Sequence, residues 1–230
     1  GLGVAMANIP AQTMIGHWFS HRRRGLATGT VGSGASIGLI VAGPLVPWMV
    51  ASFGTSGWRM SWYALAAGTF VLAVAGFAIL RDRPGYEPEG HEPMGSHGHL
   101  SKRGLYLSGV IWHLGAVYFL FGFAFMIYLT FFTKRLIADM GYTLEAAGTL
   151  FMIMGWAGLP CAVLWGWIAD RIGRTRAVTA ILALQAVSFA LFALWTDSAG
   201  LTISAVLFGL TIWGGPPIVA VICGDMVGPV

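Results

Sequence analysis

Residues 166–176 read Gly166-Trp167-Ile168-Ala169-Asp170-Arg171-Ile172-Gly173-Arg174-Thr175-Arg176, and this stretch decides the fold. Three arginines and one aspartate stand in a short turn. Before the turn, 149–169 is apolar. After it, 177–196 carries no charge at all. A compact basic hinge between two apolar runs of membrane length is expected on the cytoplasmic side of a bilayer, where Lys and Arg accumulate in loops.

Composition extends that reading to the whole chain. Of 230 residues, 57% are hydrophobic and only 10% are charged, too few to coat a water-soluble surface. A bilayer core of roughly 30 Å asks for about 20 apolar residues per helix. Seven segments meet that length: 1–19, 26–51, 59–80, 105–133, 147–169, 177–196 and 200–224. The runs are too long for barrel strands and do not alternate, so an all-α membrane protein is expected. Glycine is abundant, at 33 residues, which suits membrane helices that approach one another closely.

The basic residues sort by side. Arg22, Arg23, Arg24, Arg81, Arg83, Lys102, Arg103, Arg171, Arg174 and Arg176 fall in alternate loops, and only Arg59, Lys134 and Arg135 fall in the others. Ten against three places residue 1 outside and residue 230 inside. The same alternation argues against a nucleic-acid surface, which would gather the charge into one patch. Between the third and fourth segments, 81–104 is rich in Pro, Gly, His and charge, has no means of building a core, and reads as a flexible cytoplasmic linker. Its histidines, His91, His97 and His99, match no rigid metal site, and no metal or cofactor is expected. Cys161 and Cys223 lie inside apolar segments and read as small packing residues.

The hinge resembles the loop signature of the major facilitator superfamily (MFS), Gly-x-Leu-x-Asp-Arg-x-Gly-Arg-(Arg/Lys)-(Arg/Lys). Gly166, Asp170, Arg171, Gly173, Arg174 and Arg176 match; Ile168 stands for Leu and Thr175 for a basic residue. In that family the signature follows the second helix of each six-helix half, and a linker joins the halves. The resemblance therefore implies helices four to ten of a twelve-helix bundle. On this reading 1–80 is the end of the N-terminal half, 81–104 the linker, and 105–230 the start of the C-terminal half. The turn Trp18-Phe19 through Arg23-Arg24-Gly25 resembles the helix four to five connection, and also the monocarboxylate and oxalate–formate branches. Gly57-Trp58-Arg59 resembles the outer entry to helix six, and Cys223 to Pro229 a bacterial branch. Gly32, Gly34, Gly38, Gly43 and Pro44 form a small-residue stripe similar to the antiporter motif, with different spacing; close helix packing is its plainer reading.

The resemblance implies a secondary transporter of the bacterial inner membrane. It would move a small solute, expected to be an organic anion, by alternating access with proton coupling, and it would not be an enzyme. A transport-dead sensor on the same fold is the alternative. Polar groups inside the bilayer cost free energy, so those present are candidates for solute or proton. Asn8 and Gln12 share one helix face; they either bind solute or hydrogen-bond a neighbouring helix. His113, with Tyr106 seven residues earlier, is the one readily charged side chain well inside a segment. It either carries a proton, as imidazole does near neutral pH, or stays neutral against a neighbouring helix. Asp170, Arg171 and Arg174 are a conformational latch by family analogy, with Gly166, Gly173 and Arg176 in the same signature. Asp225 is placed to pair with Arg171 or Arg174. The aromatic crowd from Trp112 to Phe132 reads mostly as lipid-facing and packing side chains.

Overall fold

A computed structural model of the protein describes residues 24–79, 109–219 and 222. Within them run α1 (Arg24–Phe53), a 3-10 turn (Gly54–Ser56), α2 (Gly57–Ile79), α3 (Gly109–Ala138), α4 (Leu144–Gly158), α5 (Cys161–Ile172), α6 (Arg174–Leu194) and α7 (Ser198–Ile212). A further helical turn follows at 215–219, and no strand occurs among the described residues. The chain is an all-α, multi-pass membrane protein, as its composition requires. The expected segment 1–19 and the linker 81–104 lie outside the described residues.

Two of the expected segments are not single rods. The run 147–169 divides into α4 and α5, bent by 40°. Pro160 is the cause. It has no N–H for the carbonyl of Trp156, which instead accepts the Leu159 N–H at 3.3 Å. The run 200–224 stops at Ile212 and resumes at 215. Here Pro216 and Pro217 remove the helical donors for the carbonyls of Ile212 and Trp213. Length and hydropathy detect a membrane segment but are blind to a break inside it.

Local capping explains the other ends. Thr143 accepts the Ala146 N–H at 3.2 Å and starts α4; Asp197 accepts the Gly200 N–H at 3.3 Å and starts α7. Only Gly57 and Ser61 of α2 are buried, and Phe77 is 93% exposed.

The core is two apolar clusters. In one, Tyr128, Phe132 and Leu136 of α3 meet Leu150 and Met154 of α4, Phe192 of α6, and Leu201 and Phe208 of α7. In the other, Cys161, Trp165 and Ala169 of α5 meet Ala177 and Ile181 of α6 and Ile218. Trp213 packs against both. The aromatic crowd on α3 splits accordingly: Trp112, Phe119, Phe123 and Phe131 are exposed, while Tyr128 and Phe132 are buried.

The tightest seam joins α1 to α4. A Cβ on Gly148 would strike the carbonyl oxygen of Gly43, and one on Gly43 would stand 3.0 Å from the backbone nitrogen of Met152. Pro47 lacks the N–H that would otherwise serve the Gly43 carbonyl, so this oxygen is turned onto the Cα–H of Gly148, a weak but suitable donor. Farther along, a Cβ on Gly155 would lie 2.9 Å from the Ser36 carbonyl. Of the sequence stripe, Gly43 serves this packing and Gly32 faces Ala162 of α5; Gly34 and Gly38 meet nothing within 4 Å.

Candidate functional site

The two interrupted helices meet at one level. Cys161, just past the α4–α5 bend, accepts the Trp213 N–H on its sulfur at 3.3 Å. At the end of α7 that N–H is shared between the Thr211 carbonyl of its own helix and the Cys161 sulfur of the neighbouring one. Trp165 of α5 donates from Nε1 to the Leu210 carbonyl at 2.7 Å. Gly214 lies against Trp165, and Gly158 lies against Ile212. A bilayer supplies no water to unpaired backbone, so a helix is interrupted only where protein or a cavity serves the freed groups. Membrane transporters use such interruptions to present backbone dipoles to solutes. A small apolar cavity adjoins the break, walled by Phe121, Ile181, Leu182 and Gly215 among others.

Polar side chains also pair deeper along α7, about 13 Å before the break. Ser188 and Ser204 exchange hydrogen bonds with each other's carbonyls at 2.9 and 2.8 Å, and the Tyr128 hydroxyl meets Ser204 Oγ at 2.8 Å. This network ties α3, α6 and α7 and leaves its own members satisfied. Arg135 adds a fourth tie at the Lys134 end of the bundle. Its Nη2 donates to the Ala193 carbonyl at 2.9 Å and its guanidinium lies 4.9 Å over Phe192. Three other buried polar atoms have no hydrogen-bond partner among the described residues: Ser36 Oγ, Gln185 Nε2 and Trp213 Nε1. Ser36 faces the bend, with its Oγ 2.6 Å from where a Cβ on Gly158 would stand.

The arginine hinge is tighter than a loop. α5 ends at Ile172, α6 begins at Arg174, and Gly173 alone connects them. Its φ of 93° lies where a side chain is strained, which accounts for glycine in the motif. Asp170 and Arg171 therefore occupy the last turn of α5, and Arg174 and Arg176 the first turn of α6. Arg171 suits a helix C-terminus and stacks 3.8 Å from the Trp167 ring centroid. Asp170, Arg174 and Arg176 oppose the helix dipoles, a cost of about 0.3–1 kcal/mol each at an exposed site. Helix stability thus does not explain their signs. Gly166 faces open space among the described residues.

Of the other residues expected from sequence, His113 is exposed on the N-terminal part of α3. Asn8, Gln12, Tyr106 and Asp225 lie outside the described residues. Sequence reasoning passed over Ser36, Gln185, Trp213 and the Tyr128–Ser188–Ser204 network. A usable signal existed: Pro160 and the pair Pro216-Pro217 interrupt apolar runs, and Gln185 is the one amide side chain in 177–196.

The family model described as Major Facilitator Superfamily matches residues 1–229. Among curated proteins, the chain is 28% identical to the MFS-type transporter hasB of Aspergillus fumigatus, over 99% of this chain and 53% of that protein. It is 21% identical to the hexuronate transporter of Bacillus subtilis, over 79% of this chain and 43% of that one. It is 24% identical to the glycerol-3-phosphate transporter of the same organism, over 89% and 50%. The chain thus spans about half the length of the curated relatives it matches. No solved structure matches it.

Proposed function

Because the chain belongs to the major facilitator superfamily, we propose that the protein is a secondary transporter that moves a small organic anion by alternating access, coupled to protons. The observation that carries this reading is the meeting of two interrupted helices, α4–α5 and α7, at one level of the bundle, against α1. Interrupted spans that face each other are where transporters of this general design hold solute. The solute class is supported by two relatives whose names state anionic cargo, hexuronate and glycerol 3-phosphate.

Each part of the site has a place in this reading. The glycine seam between α1 and α4 lets two backbones move as flat surfaces without interlocking side chains. His113, exposed on α3, is the proton carrier. The hinge charges, set against their helix dipoles, act as a latch whose partners change between states, with Asp225 as the pairing acid. Exposed pairs contribute only about 0–1 kcal/mol, so the latch biases an equilibrium and does not lock it. A double-mutant cycle on Asp225 and Arg174 that finds no coupling removes that pairing.

The deciding experiment reconstitutes the full-length protein in liposomes loaded with a pH dye. Glucuronate, glycerol 3-phosphate, simple carboxylates, amino acids, sugars and drugs are added in turn. Proton movement triggered by one anion is expected. No proton response and no counterflow of any labelled solute would defeat the transport reading and favour a sensor.

A further inference from the structure

The packing of α6 on the end of α7 holds two hydrogen-bond donors with no acceptor among the described residues. Gln185 Nε2 and Trp213 Nε1 are both buried and have no partner among the described residues. Gln185 is only 2% exposed. Its neighbours fix where it faces. One turn earlier, Ile181 Cδ1 stands 3.0 Å from the Cβ position of Gly214. One turn later, the Phe189 ring is 5.9 Å from Phe208. Gln185 therefore faces the last turn of α7, between Phe208 and Gly214, the turn that ends in Trp213. The Phe125 ring spans the same interval, 5.8 Å from Phe208 and 6.0 Å from Trp213.

Two buried donors without a partner among the described residues, one on α6 and one at the end of α7, are unusual, since buried polar groups in proteins are almost always paired. The adjacent serines and tyrosine show that this chain pairs its buried hydroxyls where pairing serves structure. The same turn carries acceptors: the carbonyls of Ile212 and Trp213 lose their helical donors to Pro216 and Pro217. The apolar cavity walled by Ile181, Phe121 and Gly215 begins one turn of α6 from Gln185 and two residues past Trp213.

We propose that Gln185 Nε2 and Trp213 Nε1 determine specificity by donating to an oxyanion oxygen of the carried solute at the α7 break. This rests on the transport reading above and names a recognition point within it. The chemistry is that of a carboxylate or phosphate oxygen, which accepts N–H donors more strongly than a neutral oxygen does. The freed carbonyls would take hydroxyl hydrogens from the same solute, which favours a hydroxylated acid over a plain fatty acid.

The test uses the full-length protein in liposomes and in detergent, with glucuronate as the carboxylate arm and glycerol 3-phosphate as the phosphate arm. Trp213→Phe removes one N–H and keeps the ring stack. Gln185→Leu removes the other donor, and Gln185→Glu replaces it with a negative charge. An unpartnered donor stabilises nothing in the empty protein, so Gln185→Leu should melt no lower than wild type. For the anion that wild type carries, Trp213→Phe and Gln185→Leu should each raise KM roughly tenfold or more, the loss of one charge-assisted hydrogen bond. Gln185→Glu should abolish uptake, and the thermal shift induced by that anion should shrink in all three. KM values within about twofold of wild type in the Gln185 variants would overturn the inference and leave transport standing. If Trp213→Phe fails to fold, the two Gln185 variants decide alone. If wild type carries neither anion, the transport of organic anions and this inference fall together.

Discussion

Gly148→Ala should break the α1–α4 seam. The added methyl would stand 2.7 Å from Pro47 Cγ and closer still to the Gly43 carbonyl oxygen. Ordinary contact begins near 3.4 Å, so the helices must part by the better part of an ångström. The obstacle is backbone and a proline ring, which have no rotamer by which to yield. A gap of about 0.5–1 Å forfeits a quarter to a half of each dispersion contact along the seam. Overpacking of this kind typically costs about 1–3 kcal/mol. A loss of about 2 kcal/mol is a roughly 30-fold change in the folded-to-unfolded ratio. The matched control is Gly38→Ala, on the same helix as Gly43, with nothing within 4 Å of its Cβ position. Alanine there removes a poor helix former, a gain of up to about 1 kcal/mol. Unfolding both variants in detergent by a denaturant series measures the contrast. Equal stability of Gly148→Ala and wild type, or an equal loss in Gly38→Ala, would refute the close-approach argument.

Three more outcomes follow from named contacts. Gly173→Ala should lose about 1–2 kcal/mol through its φ of 93° although its Cβ position is open, whereas Gly166→Ala, inside α5 with an open Cβ position, should gain up to about 1 kcal/mol as Gly38→Ala does; equal melting of the two would contradict the backbone account. Tyr128→Phe should cost only about 0.6 kcal/mol, typical of a membrane side-chain hydrogen bond, because Ser188 and Ser204 keep each other satisfied; a loss several times larger in chemical denaturation would show that the hydroxyl does more than tie α3 to α7. His113→Ala should leave melting unchanged, since the side chain is exposed, while flattening the pH dependence of uptake; unchanged pH dependence and affinity would remove its role.

The sequence by itself determined the class of this protein. Apolar runs of bilayer length are legible because the solvent for a membrane helix is uniform, so each segment declares itself without its neighbours. The hinge was legible for a local reason too: Gly173 is fixed by one backbone angle, and Arg171 by the end of its own helix. Capping at Thr143 and Asp197 is equally local. What only the tertiary structure decided was convergence. Pro160 announces a bend and Pro216-Pro217 a break, yet nothing in the residue order says that these two interruptions meet at Cys161 and Trp213. Nor does it say that Gly43 meets Gly148 while Gly38 on the same helix meets nothing. Gln185 in a charge-free run reads as any polar residue in a helix; only the register of α6 against α7 turns it toward the end of α7 with its Nε2 unpaired among the described residues. Propensity and hydropathy are properties of one segment, whereas a pairing between segments is set by which surfaces fit closest, and that is decided in three dimensions.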